Sequence, residues 1–388
     1  MTKLFLLDPE PSAAWYPFAD CRPITELRAG AWLIRERWEA IADGETEAIF
    51  AASHLHDFAE DGVPPVTAAR SVEGPAIVGR GAFAPAGVPP DLPTGPARLV
   101  NDDNAVGWWV PEGATWEVGQ DEGEDVTLDG FLLHGSYDLV TALEHMLVAD
   151  TADFTHEAGD QLADGSMVIG DPTDVVILGA LVEPGVVFDV RGGAVVIEQH
   201  AYVKSGTRLE GPIYIGPGTE ILGGVVHRCS IGPRCRVRGE IANSVLLGYA
   251  NKAHDGFVGS SVLGRWVNVG AGTTTSNLKN TYGDVRLDVA GERIETGLQN
   301  LGTLFGDHAK LAIGTQLDTG TLLGAGANVF GVSRPPKFVP PFAWGSSGES
   351  VNRDGFLTVA TRVMPRRQVA FTDAVRESLG RIYDHAAR

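Results

Sequence analysis

Residues 197–221 read IEQHAYVKSGTRLEGPIYIGPGTEI. Aliphatic side chains fall at Ile197, Val203, Leu209, Ile215 and Ile221, a step of six. A second run repeats the step at Phe305, Leu311, Leu317, Leu323 and Val329. Between them, Ile231 with Val237, and Phe257 with Leu263 and Val269, keep the same spacing. A period of six is neither the 3.6 of a helix nor the alternation of a half-buried strand. It predicts a parallel β-helix, each hexapeptide forming one flat side and three sides closing a coil. The aliphatic points inward, so that Ile197 stacks on Ile215 and Leu311 on Val329. Glycine follows the inward residue at Gly216, Gly264, Gly270 and Gly324, where a tight corner favours it. A single coil cannot bury its own inner face, so several must stack.

The repeat breaks over 273–304, and such insertions project as loops on one face, often the binding face. Within it VRLDVAGERIET alternates around Ala290 and Gly291, which predicts a short hairpin. Residues 1–150 have another texture. KLFLLD and EAIFAAS read as strands. Leu33, Ile34, Trp38 and Ile41 share one face of an amphipathic helix, and 85–96 form a Pro/Gly-rich loop. Ser136 is placed to cap a helix over Asp138 to Ala149. This alternation predicts an α/β domain with a mostly parallel sheet. The organisation expected is an α/β domain at 1–155, an all-β left-handed parallel β-helix of hexapeptide repeats at 168–345, and an extension at 346–388 ending in a helix near 366–385.

The chain has 388 residues, is 44% apolar and carries a formal charge of −20. Residues 1–165 hold 30 Asp and Glu against 8 Lys and Arg, or −22, which leaves +2 for the rest. So acidic a half excludes a nucleic-acid partner, because nothing there neutralises phosphates along a strand. No run of eighteen apolar residues predicts a membrane span, and the N-terminal residues lack the basic start and apolar core of a signal peptide. Three cysteines, Cys21, Cys229 and Cys235, make no disulfide framework, so a reduced, cytoplasmic protein is expected.

Three stretches carry a family resemblance: TELRAGAWLIRERWE, NKAHDGFVGSSVLGRWVNVGAGTTTSNLKNTYGDV and GDHAKLAIGTQLDTGTLLGAGANVFG. With the GPIYIGPGTEI repeat, the chain resembles the bifunctional N-acetylglucosamine-1-phosphate uridyltransferase/glucosamine-1-phosphate acetyltransferase family, in a divergent bacterial branch of sugar nucleotidyltransferases. The likeness implies a reduced nucleotidyltransferase-like domain followed by a hexapeptide acyltransferase. It implies sugar-1-phosphate nucleotidyl transfer, acetyl-CoA-dependent acetylation of an amino-sugar phosphate, or both, in synthesis of a nucleotide sugar of the UDP-N-acetylglucosamine type. Acetyl-CoA and UTP would be co-substrates, Mg²⁺ the cofactor of nucleotidyl transfer, and a homotrimer the assembly.

Matched one residue at a time, His254 stands where the family keeps its general-base histidine. Asn268 and Asn277 match its two asparagines, and Ala271 matches a backbone contact to the pantetheine. A histidine titrating near neutrality suits deprotonation of an ammonium before attack on a thioester. Asp255 is adjacent. The sequence departs in having Phe257 where the family has tyrosine, and the basic pair that grips the sugar phosphate has no clear counterpart; Lys252, Lys279 and Arg265 are the nearest substitutes. In the N-terminal domain the Gly-rich loop ending in Thr-Arg is missing. Arg22 and Arg28 are left as candidates for phosphate binding, and Asp102 and Asp103 as candidate Mg²⁺ ligands. His308 is a second histidine candidate. His227, His254 and His308 together fit a three-histidine zinc site poorly, their gaps being 27 and 54 residues. The competing readings are a single-activity enzyme with one degenerate domain, and a non-catalytic trimeric nucleotide-sugar-binding protein.

Overall fold

The computed structural model describes residues 2–156, 159–346 and 348–387, so two positions of the stretch expected to join the domains, 157 and 158, lie outside it. Strand Lys3–Leu7 sits inside a seven-stranded sheet. The order across it is Glu124–Thr127, Ala97–Asn101, Asn104–Val110, Ala76–Arg80, Lys3–Leu7, Thr46–Phe50, Val66–Thr67. Strand Lys3–Leu7 is parallel to both neighbours, and only the pairings made by Asn104–Val110 are antiparallel. The mostly parallel sheet is therefore the one the alternating pattern implies.

Helix α1, Ile34–Ala42, covers that sheet. Its predicted face is buried in full: Leu33, Ile34, Trp38 and Ile41 are each at most 4% exposed. The Leu33 amide donates to the Glu36 carboxylate at 2.7 Å and closes the first turn. Trp38 lies over Gly79, where an added Cβ would come 2.5 Å from the indole, so the missing side chain lets helix and sheet approach. The helix expected over Asp138 to Ala149 is two pieces, α2 (Asp138–Thr141) and α3 (Leu143–Phe154). Ser136 does not cap it: its hydroxyl donates to the Tyr16 carbonyl at 2.8 Å, while the Asp138 carboxylate accepts from the His134 amide.

From Met167 onward the chain winds as a three-sided parallel β-helix. One side stacks nine strands from Val175–Ile177 to Phe338–Val339. The predicted inward residues line a single core: Ile197, Val203, Leu209, Ile215 and Ile221 are fully buried, as are Phe305 and Leu323. Ile197 pairs with Ile215 and Leu311 with Val329, the expected step of eighteen. Elsewhere the corners shorten, and the step is fifteen from Ile231 to Leu246 and seventeen from Leu246 to Leu263. This shortening corrects one inward position. Val258, paired with Ile241, is in the core, and Phe257 is half-buried on the outer side. The predicted hairpin is present, Arg286–Val289 against Glu292–Glu295, inside the insertion.

The C-terminal part holds two helices, α4 (Arg353–Val363) and α5 (Asp373–Ala386), separated by a turn containing Pro365. Arg366 and Arg367 fall in that turn and not in the terminal helix, because proline interrupts helical hydrogen bonding there. Asn352 and Thr372 cap the two helices. The N-terminal domain lies along the β-helix: the Ser230 hydroxyl donates to the Gly30 carbonyl at 2.6 Å, and Arg228 pairs with Glu144. Trp32, Phe154 and Tyr214 cluster across the same seam. Among the described residues no helix is long and apolar enough to cross a membrane.

Candidate functional site

The stretch 251–272 forms one corner of the β-helix and the coil directly beneath it. Asn251 and Asn268 bridge as neighbouring rungs, the Asn251 amide donating to the Asn268 side-chain oxygen at 3.0 Å across a separation of seventeen. Below them the Gly272 amide donates to the Asp255 carbonyl at 2.8 Å, so the same offset holds around the corner. That register sets Ala271 against His254. Three positions singled out from sequence thus come together.

His254 is exposed, and its ring has no partner among the described residues. Asp255 pairs with Arg238 at 3.1 Å. Asn277 stands at the following corner, beyond strand Thr274–Thr275, where its amide donates to the Ser260 hydroxyl at 3.2 Å. Lys279 is farther along, its ammonium on the Asp284 carbonyl inside the insertion.

Lys252 is the least expected arrangement. It occupies an inward position, paired with Val237 in the column of aliphatics, and is 2% exposed. Its ammonium donates to the carbonyls of Arg238 (2.6 Å), His254 (3.3 Å) and Gly256 (2.9 Å). Burial pushes its pKa down to about 8, against the pull of Asp255 and Glu240. A lysine inside a hydrophobic coil thereby ties both ends of the His254 turn from within. Sequence reasoning takes Lys252 as a substitute for a phosphate-gripping cation; its ammonium is instead held by three backbone carbonyls, and its long alkyl stem is what lets an inward position tolerate it.

The other histidines are separate. His308 is 5% exposed and stacks on Trp266 with ring centres 6.1 Å apart. Burial holds its imidazole well below the ordinary value, with Lys310 and Arg22 adding to the effect, so it stays neutral. His227 pairs with Glu210 at 3.0 Å. No cluster of three or more His, Cys, Asp or Glu side chains suited to a metal exists among the described residues.

The N-terminal candidates are differently placed. Arg22 is fully buried: Nε and Nη2 donate to Asp307 at 2.9 and 2.8 Å, and Nη2 reaches Glu60 at 3.1 Å. Arg265 completes the group, its guanidinium 2.6 Å from Glu60 and its amide on Asp307. This ion network joins the N-terminal domain to the β-helix. Arg28 is 5% exposed, donates to the Ala31 carbonyl and lies 5.3 Å over the Tyr214 ring. Asp102 and Asp103 form the exposed tip between strands Ala97–Asn101 and Asn104–Val110. Sequence reasoning passed over Asp8, at the end of the first strand. Its carboxylate accepts the amides of Ile24 at 2.7 Å and Thr25 at 3.1 Å. Burial pushes it up to about 7, against the pull of those amides. Backbone amides of that kind hold nucleotide phosphates in Gly-rich loops; here a carboxylate of the chain already takes two.

Residues 4–158 match the profile of the family described as "Sugar nucleotidyl transferase". A bifunctional sugar-1-phosphate nucleotidylyltransferase/acetyltransferase of Sulfurisphaera tokodaii is 36% identical over 150 residues, which cover 36% of this chain and 35% of that protein. The bifunctional protein GlmU of a Picosynechococcus species is 34% identical over 89 residues, 22% of this chain and 18% of its own. The chain thus spans about a third or less of the length of the curated relatives it matches. At modest identity, and over a minority of each chain, the protein is similar to bifunctional sugar-1-phosphate nucleotidylyltransferases/acetyltransferases.

Proposed function

We propose that the protein is a transferase of nucleotide-sugar synthesis whose β-helix acetylates an amino-sugar phosphate from acetyl-CoA. The observation that carries this reading is the seventeen-residue register that sets His254 against Ala271 beside the Asn251–Asn268 rung. His254 takes a proton from the acceptor ammonium. The freed amine attacks the thioester carbonyl and the C–S bond breaks; the proton the nitrogen sheds as it becomes an amide goes to the departing thiolate, and the imidazolium gives its own proton to solvent. Asn268 and Ala271 would contact the substrates, with Asn277 and Lys279 farther along the coenzyme's path. Lys252 fixes the turn that carries the base. The product class implied by the sequence resemblance is a nucleotide sugar of the UDP-N-acetylglucosamine type, and a homotrimer would supply equivalent clefts between β-helices.

A single-activity enzyme is the second reading, and a specific observation favours it. The loop after the first strand has two amides engaged by Asp8, and Arg22 is sealed between Asp307 and Glu60. Arg28 is likewise committed to the Ala31 carbonyl. Mg²⁺ would serve to neutralise the triphosphate of UTP. Asp102 and Asp103 offer it a solvated pair that no third acid joins among the described residues, a poor fit to a hard cation's oxygen shell. No nucleotidyl step is therefore assigned to named residues.

The test is incubation with glucosamine-1-phosphate, acetyl-CoA, UTP and Mg²⁺, with products separated by mass. Acetylated sugar phosphate without nucleotide sugar is the outcome of the single-activity reading; both products support the bifunctional one. Neither product, with the nucleotide sugar itself bound, leaves a non-catalytic binding protein and overturns the proposal.

A further inference from the structure

Beside the Asn251–Asn268 rung, a cavity of about 390 Å³ opens between the third side of the β-helix and the turn that joins α4 to α5. Four of its lining residues are cations, Arg236, Lys310, Arg366 and Arg367, and none is an acid. We propose that this cavity is an anion site for a phosphate or diphosphate group, with the four cations as its charged wall and Asn251 and Asn268 as neutral hydrogen-bonding partners.

The charges are only partly answered by the protein. Arg236 bonds Glu220 at 2.8 Å. Arg366 and Arg367 have no ion-pair partner among the described residues. Arg367 donates to the Asn251 side-chain oxygen at 3.3 Å, but its Nε is buried with no hydrogen-bond partner. Lys310 is anchored by its bond to the His308 carbonyl at 2.9 Å. Burial and the nearby Arg236 both lower the Arg367 pKa, and burial brings Lys310 down to about 8. Like charges gathered at a partly desolvated site destabilise one another, and a bound dianion reverses that sign. The gathering stands out in a chain whose formal charge is −20. Arginine forks suit the tetrahedral oxygens of phosphate better than a single carboxylate needs. Two of the cations are on the rigid coil and two on the C-terminal turn, so the ligand would bridge the two parts.

The chemistry has two sources, the phosphates of an acyl coenzyme and the phosphate of a sugar phosphate. That choice rests on the acyl-transfer reading; the anion site does not. Titration calorimetry, without turnover, separates them. The probes are inorganic pyrophosphate, coenzyme A against 3′-dephospho-coenzyme A, and glucosamine-1-phosphate against glucosamine. Saturable binding that weakens with salt is expected, and it should fall by at least about tenfold in Arg366→Gln/Arg367→Gln. Loss on removing the 3′-phosphate assigns the coenzyme; loss on removing the sugar phosphate assigns the acceptor. Arg236→Gln, on a rigid strand, gives the same fall if the C-terminal turn is disturbed by its own substitutions. No saturable binding of any probe, or equal binding by the wild type and both variants, overturns the proposal whatever the acetyl-transfer assay shows.

Discussion

Lys252 makes the stability of the protein depend on pH in a direction opposite to that of a salt-bridged lysine. Its pKa is about 8 in the folded chain against 10.5 for an ordinary lysine, because burial disfavours the ammonium. Between those values the unfolded chain binds more protons than the native one, so stability rises with pH across the window. The gap corresponds to about 3 kcal/mol, most of it gained by pH 10. Buried Cys229 and Cys235 act the other way. Their thiols are pushed up to about 12, so the unfolded chain loses those protons first and stability falls above pH 9. The two effects overlap, and the useful quantity is the difference between wild type and Lys252→Met, in which the thiol contribution cancels. Methionine fits the aliphatic column, with Val237 as its neighbour on the ladder. Urea unfolding at intervals from pH 7 to 10 should show the wild-type stability climbing relative to the variant by about 2–3 kcal/mol. A flat difference would refute the claim that the amine is desolvated inside the coil.

Other outcomes follow from the same geometry. His254→Ala should abolish most acetyl-CoA turnover, by about 10²–10⁴-fold, while Asp255→Asn changes it little because Asp255 pairs with Arg238; steady-state kinetics check both. Asp307→Ala leaves the buried Arg22 guanidinium with Glu60 alone and should cost about 3 kcal/mol in chemical denaturation. Arg22→Met in the same chain should recover part of that loss, and additivity would count against the ion network. Gly256→Ala places a Cβ 2.3 Å from the Thr273 carbonyl at a φ of +138°, and should lower the melting temperature by several degrees.

The β-helix was legible because its core is written in one residue class at one spacing, and Ile197 on Ile215 needs nothing else to be inferred. The slip that moved Phe257 outward was not legible. Corner length is set by local φ and ψ, and a corner shortened by one residue leaves the composition of the hexapeptides almost unchanged. Of the proposed site, His254, Asn268 and Ala271 are singled out by the family resemblance, and their place on neighbouring rungs comes from the seventeen-residue register. The burial of Lys252 was not legible, since lysine signals a surface by default. Arg22 and Arg28 carried the right chemistry for phosphate, but their partners lie far away in sequence, Asp307 above all. Pairings of that range have no local signature, and neither does the gathering of Arg236, Lys310, Arg366 and Arg367.

The bond from Arg22 to Asp307 spans 285 residues, and it has a consequence for synthesis on the ribosome. At ~5–20 residues per second, the second partner emerges roughly 15–60 s after the first. Through that interval Arg22 has only Glu60, 38 positions away, and the apolar seam around Trp32 and Phe154 lacks Tyr214 for much of it. The N-terminal domain can form its sheet early, but it closes against nothing until several coils have wound. A nascent chain therefore carries an open, acidic, half-finished domain until the coil that holds Asp307 is made.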